Sequence, residues 1–279
     1  MKLLGLNVDP LRGDFDWDAV AETGTPAVRV VLRLGAYDDC ASFMNGGVKV
    51  LGVVAKETVA EFRTWDLCAE YYAHWMELGA VTWLQIGNEP DITSPSSWTM
   101  TFEEYQALLS AFRGCQPQIG AGLASGNHDL RLYHDIPLAL HPYSEGTGIA
   151  SWLDRYRSGE ERFWITEWFP NEEATRIALQ QPDVEAVFWW WHDPIGTGQL
   201  QINDRPQRLA AFKRLVQEVR MPTFQFGFAE YAKAHPEVGK PLSEERYFAE
   251  DLSCQLAEGG MLVYAKESNE IRFLPSGKV

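Results

Sequence analysis

Along most of the chain, short apolar and β-branched runs alternate with stretches of helical periodicity, and each run stops at polar, glycine or proline residues. Apolar runs of this length, bounded by turn residues, mark strands buried on both faces of a parallel sheet and joined by crossover helices. Eight runs are present: Leu3 to Val8, Ala27 to Leu34, Val48 to Ala55, Val81 to Ile86, Gln118 to Ala124, Ile136 to His141, Phe163 to Thr166 and Ala186 to Trp191. Eight strand-then-helix units in about 220 residues fit the lower end of the (β/α)8 size range, whereas a doubly wound open sheet more often has five or six strands. The predicted fold is therefore α/β, a compact (β/α)8 TIM barrel over residues 1–221.

The clearest predicted helices are Thr58 to Leu78, Thr101 to Phe112, Ile149 to Tyr156, Glu172 to Leu179 and Pro206 to Val219. Thr101 and Glu104 have the spacing of a capping box. The connections Asp38 to Asn45 and His128 to His134 have room for little more than a turn, which would trim the barrel on those sides and open its cleft. After Pro222 the pattern changes to Gly239-Lys240-Pro241, Gly259-Gly260 and a strand-like Met261 to Ala265, so residues 222–279 read as a small β-rich C-terminal module.

Composition narrows the ligand. A formal charge of -15 repels phosphate backbones, which excludes a nucleic-acid partner and favours neutral or cationic ligands. Aromatics make up 13% of the chain, with 11 Trp, more than plain packing calls for, so some rings should face a cleft. No apolar stretch reaches the roughly 20 residues of a membrane span. The N-terminal MKLLGLNVD meets Asn7 and Asp9 too early for a signal peptide, which leaves the compartment open among cytoplasmic, phage-delivered and secreted with the signal removed. Cys40, Cys68, Cys115 and Cys254 form no CxxC pair, so free thiols are expected rather than a zinc site or disulfide framework.

Active sites of (β/α)8 enzymes lie at the C-terminal ends of the strands. Strand four ends WLQIGNEPD, bringing Asn88 and Glu89 to the mouth, and strand seven reads FWITEWF, bringing Glu167 there. Glycoside hydrolysis needs a carboxylic acid to protonate the leaving oxygen and a carboxylate across the anomeric carbon. Strand six ends LHPY, where His141 and Tyr143 share a face and Tyr143 can hydrogen-bond Glu167. Arg29, with Arg33 as its substitute, supplies a cation that favours the ionised carboxylate. His192 and Asp193 lack a second His at ligand spacing and do not suggest a metal; His74 and His128 suggest no chemistry.

These strings, in this strand order, resemble the clan A glycoside hydrolases over about the first 220 residues, and GNEPD, HPY and WITEW are most similar to small cores that include endo-β-1,3-glucanases. The resemblance implies Glu89 as acid/base, Glu167 as nucleophile with Tyr143 beside it, and Asn88 on the sugar 2-hydroxyl. It also implies Arg29 as the strand-two arginine and, from VFWWWHD, Trp189 or Trp191 as the floor of the cleavage subsite; His141, by its place at the end of strand six, is expected to bind substrate. The implied activity is retaining, endo-acting hydrolysis of a β-linked polysaccharide or oligosaccharide by a monomer without cofactor or metal. The alternatives are a peptidoglycan-cleaving lysin and a non-catalytic glycan-binding protein on a decayed barrel. The segment FAEYAKAHPEVGKPLSEE followed by GGMLVYAKESNEIRFL resembles an LGFP repeat, which implies a glycan or cell-wall contact for the C-terminal module.

Overall fold

The computed structural model describes residues 2–11, 15–92, 98–124, 136–143, 146–157, 159, 161–168, 171–191, 202, 205–220, 226–242, 246–249, 252–265, 268 and 270–276. They divide into two compact units, residues 1–216 and 217–279. In the first, eight parallel strands close into a barrel in sequence order: β1 (Leu3–Asn7), β2 (Ala27–Val31), β3 (Lys49–Val54), β4 (Trp83–Ile86), β5 (Gln118–Leu123), β6 (Leu138–Leu140), β7 (Phe163–Trp168) and β8 (Val184–Trp190). Pairing of β1 with β8, from Leu3↔Ala186 to Asn7↔Trp190, closes the ring. Around it run α1 (Trp17–Glu22), α2 (Tyr37–Asn45), α3 (Lys56–Ala60), α4 (Trp65–Glu77), α5 (Phe102–Ala111), α6 (Ile149–Leu153), α7 (Glu172–Gln180) and α8 (Pro206–Arg220).

The barrel interior is packed. Ala27, Leu51, Ile119, Ala139, Trp164, Ala186 and Phe188 form one buried cluster, with Leu3 and Trp83 against it. Small Ala side chains on β2, β6 and β8 make room for the Trp164 and Phe188 rings, which stack with centroids 6.1 Å apart. Polar side chains sit beyond this apolar plug, at the C-terminal ends of the strands. The expected capping box is present: Glu104 N donates to Thr101 Oγ1 at 3.2 Å and Thr101 N donates to Glu104 Oε2 at 2.7 Å.

Two expectations for the periphery are corrected. The segment 38–45 is no mere turn: β2 ends at Val31, which frees enough chain for a short 3-10 turn and the nine-residue α2, whose Cys40 and Phe43 are buried three residues apart. The helix expected over 58–78 is two helices. Thr58 turns its hydroxyl to Leu32 O at 2.8 Å, and Thr64 starts α4 by accepting from Leu67 N at 3.3 Å in an extended conformation that no helix interior allows. The 128–134 connection, His128, His192 and Asp193 lie outside the described residues.

In the second unit, α9 (Phe226–Ala234) is followed by β9 (Arg246–Ala249), β10 (Leu252–Ala257), β11 (Gly260–Ala265) and β12 (Glu270–Pro275), an antiparallel sheet in the order β12-β11-β10-β9. Phe228, Val238, Ala257 and Leu262 form its core, flanked by Tyr231, Tyr264, Ile271 and Phe273. All four cysteines of the chain are buried free thiols. Among the described residues no helix is long and apolar enough to cross a membrane.

Candidate active site

Local backbone features aim the two carboxylates. After β4 the chain passes through Gly87 at φ 89° and then Glu89 at φ 52°, the one non-glycine residue with positive φ among those described. A residue with a Cβ is disfavoured there by roughly 1–2 kcal/mol. Glu89 is held in that conformation by its N–H, which donates to Gly122 O on β5 at 2.9 Å. Glu167 depends on a bulge. Ile165 pairs with Val187 and Trp168 with Trp189, so β7 spends three residues where β8 spends two. A regular strand would send Thr166 and Glu167 to opposite faces, whereas a bulge re-aims side chains. Here both point into the site.

Tyr143 Oη lies 2.5 Å from Glu89 Oε1 and 2.5 Å from Glu167 Oε2. One oxygen of each carboxylate and a His141 nitrogen lie within 4.8 Å of one another. His141 Nδ1 is 3.0 Å from Glu89 Oε1, and its Nε2 is 3.0 Å from Thr166 Oγ1. Arg29, 2% exposed, pairs its Nη1 with Glu167 Oε1 at 2.8 Å. It also donates to Asn7 Oδ1 at 2.9 Å, Asn88 Oδ1 at 2.6 Å and Gln85 Oε1 at 3.1 Å. The guanidinium fork thus joins four strand ends, a geometry that a lysine could not reproduce. Asn7 Nδ2 donates to Thr166 O at 2.7 Å, tying β1 to the β7 bulge.

The two carboxyl groups differ in their surroundings. Burial raises the affinity of Glu89 for its proton, but the hydrogen bond with His141, the Tyr143 hydroxyl and the Arg29 charge together outweigh it, and its pKa lies below the ordinary 4.5. Burial, then the charges of Glu167 and Glu89, push the Tyr143 phenol far upward, so it stays a proton donor. Glu89, His141 and Glu167 are the one described group of His, Cys, Asp or Glu whose ligand atoms converge. A cation there would have to break the bonds these groups make with Tyr143 and with one another.

The site opens into a cleft of about 860 Å³ lined by Arg29, Asn88, Glu89, Tyr143, Glu167 and Trp190 at the centre, and by residues of the β1, β2 and β3 ends, Leu11, Val31 and Arg33 among them. Sequence reasoning named Glu89, Glu167, Asn88, Arg29, His141 and Tyr143, and the fold gathers all six around one point. Tyr143 meets both carboxylates rather than Glu167 alone. Asn88 spends its Oδ1 on Arg29, while its Nδ2 makes no hydrogen bond to the described residues. Arg33 is half-exposed on the cleft wall, 3.8 Å from Glu61, and does not replace Arg29. His74 lies at the surface beside Glu77.

The tryptophan expectation is corrected. Trp189 is fully buried in the helix layer, donating to Thr175 Oγ1 at 2.9 Å and packing on Phe212, and Trp191 is 1% exposed outside the cleft lining. Trp190, opposite Asn7 in the β1–β8 register, lines the cleft instead. Asn7, Gln85, Thr166 and Gly122 were not anticipated. Asn7 ends an apolar run as Glu167 does, and that position was the available signal. Gly122 gave none: a Cβ there would sit 2.3 Å from His141 Nε2, so only glycine admits the imidazole.

The sequence matches no family model and no curated protein. Solved structures do match. A GH2 β-galacturonidase from Eisenbergiella tayi aligns with TM-score 0.55 at 11% identity, over 76% of this chain and 51% of that one. A GH128 (subgroup II) endo-β-1,3-glucanase from Sorangium cellulosum aligns with TM-score 0.50 at 13% identity, over 74% of this chain and 97% of that one. A glycosyl hydrolase family 2 member from Bacteroides cellulosilyticus aligns with TM-score 0.55 at 14% identity, over 95% of this chain and 38% of that one. The chain spans about half the length of the galacturonidase it matches. At these identities the likeness is one of fold, the barrel that these glycoside hydrolases use.

Proposed function

We propose that the protein is a retaining glycoside hydrolase acting on a β-linked glycan, with Glu89 as acid/base and Glu167 as nucleophile. The observation that carries this reading is the pair of carboxylates at the barrel mouth with oxygens within 4.8 Å of each other. Double displacement uses carboxyl groups about 5–5.5 Å apart, and inversion needs about 6.5–9.5 Å to admit a water between them. The short separation supports attack by Glu167 on the anomeric carbon.

The environments suit the division of labour. Glu167, with its side chain 7% exposed, is paired with Arg29 and held in place by Arg29 and Tyr143, as a nucleophile must be. Glu89 has a side chain 22% exposed to the cleft. A bound glycan takes that remaining water away, and lost hydration favours the neutral acid, which the leaving oxygen requires. The single Tyr143 proton serves either step. It goes to Glu167 while Glu89 is protonated and turns to Glu89 once Glu167 is esterified, when Glu89 deprotonates the incoming water. Trp190 supplies an apolar face for the sugar at the cleavage point, and the Asn88 amide is the donor for its 2-hydroxyl.

The test is the anomeric form of the product first released from β-glucans, followed by proton NMR. The β-anomer appearing first agrees with double displacement. The α-anomer first refutes it, and no product from any β-linked glycan refutes the hydrolase reading.

A further inference from the structure

A second layer beneath these side chains controls the proton that Glu89 meets. His141 is 1% exposed and Thr166 is 0% exposed, so neither relies on water to satisfy its polar atoms. The imidazole has two possible neutral tautomers, and its two nitrogens face chemically different partners: a carboxylate at Nδ1 and a hydroxyl at Nε2. A threonine hydroxyl carries one hydrogen, and a buried hydroxyl hydrogen left without an acceptor carries the full cost of its lost hydration. Among the described residues His141 Nε2 is the one acceptor that Thr166 Oγ1 reaches. Thr166 therefore donates to Nε2, which leaves the ring proton on Nδ1, aimed at Glu89 Oε1. The reverse tautomer would orphan the Thr166 hydrogen and set a bare nitrogen lone pair against a carboxylate oxygen.

We propose that Thr166 is a positioning residue that selects the Nδ1-protonated tautomer of His141 and so keeps a neutral N–H donor on the acid/base Glu89. The role rests on the assignment of Glu89 above. It also accounts for the β7 bulge, since without the extra residue Thr166 and Glu167 would not both face the site. Asn7 fixes the same residue from its other side by donating to Thr166 O. Gly122 leaves the room the ring needs.

The experiment pairs nitrogen NMR of 15N-histidine-labelled protein with steady-state kinetics for wild type, Thr166→Val and Thr166→Ser. Protonated and bare ring nitrogens have distinct shifts, so the tautomer is read without substrate. The wild type should show His141 protonated on Nδ1 and bare at Nε2, and Thr166→Val, which keeps the volume and loses the hydroxyl, should shift the population toward Nε2–H. In turnover of a β-glycan, Thr166→Val should lower kcat about 10- to 100-fold, the range seen when partners behind a reacting group are removed, with KM little changed. Thr166→Ser, which restores the hydroxyl, should recover both tautomer and kcat. Wild-type His141 protonated on Nε2 overturns the proposal, as does a Val variant that keeps the wild-type tautomer. If the tautomer behaves as stated and no glycan is cleaved, it is the assignment of Glu89 that fails; if turnover is present and the tautomer is wrong, it is the role of Thr166 that fails.

Discussion

Replacing Arg29 with Met isolates the electrostatic centre of the site while keeping an apolar stem of similar reach. The guanidinium is 2% exposed and bonded to Glu167 and to three side-chain amides, so its loss strands a buried carboxylate and three acceptors at once. Breaking a buried ion pair by removing one partner costs about 3–5 kcal/mol, a large fraction of the roughly 5–15 kcal/mol that holds a domain together. Cleft water reaching the abandoned amides softens their share, which leaves about 4 kcal/mol as the expectation for Arg29→Met. Glu167→Gln in the same background removes the stranded charge, and the double variant should recover about 2 kcal/mol relative to the sum of the two single losses, as a coupled pair does. Urea unfolding followed by tryptophan fluorescence is the assay. All 11 Trp lie at or before Trp191, so the signal comes from the first unit alone. A loss below about 1 kcal/mol for Arg29→Met, or strict additivity in the double variant, would refute the claim that Arg29 compensates Glu167 in a buried site.

Four further outcomes follow from the geometry. In the free enzyme Glu89 lies below 4.5, so His141→Gln, which alters the hydrogen bond that helps to hold it there, should move the alkaline fall of kcat/KM to higher pH; a fall at the same pH or lower contradicts this. By the same linkage, the stability that Glu89 contributes is present above 4.5 and is lost as pH drops through its folded value. Gly122→Ala should cost about 1–3 kcal/mol by urea unfolding and abolish turnover, because the new methyl would lie 2.3 Å from His141 Nε2; full activity would show that the imidazole position is not required. Of two inactive variants, Glu89→Gly should be more stable than Glu89→Ala by about 0.5–1 kcal/mol, since φ 52° strains any residue with a Cβ; equal stabilities would mean that the strain is absent.

The barrel was legible because each strand is buried on both faces and reads as an uninterrupted apolar run, and because the barrel fold puts function where those runs end. That logic brought Asn88, Glu89, His141, Tyr143 and Glu167 to the barrel mouth, while the choice of Arg29 over Arg33 came from the resemblance of its Val-Arg-Val strand. It failed where the backbone departs from strand period. The extra residue in β7 turns Thr166 inward, and an Ile-Thr-Glu string gives no sign of it. Three consecutive indoles carry no phase; the phase of β8 is set by Ala186 and Phe188, which the interior accepts two residues apart, and it selects Trp190. The α3–α4 break escaped notice because apolar spacing continues across it, and only the Thr64 cap marks it. Gly122 became meaningful only once His141 was in place.

The central claim is that Glu89 and Glu167 cleave a glycosidic bond. It is tested most directly by product release from β-glucans, xylan, mannan, galactan and peptidoglycan with wild type, Glu89→Gln and Glu167→Gln. The account predicts turnover of one β-linked polymer by the wild type and its loss, by several orders of magnitude, in both variants. Turnover that survives both substitutions, or sugar binding with no cleavage of any polymer, would contradict it.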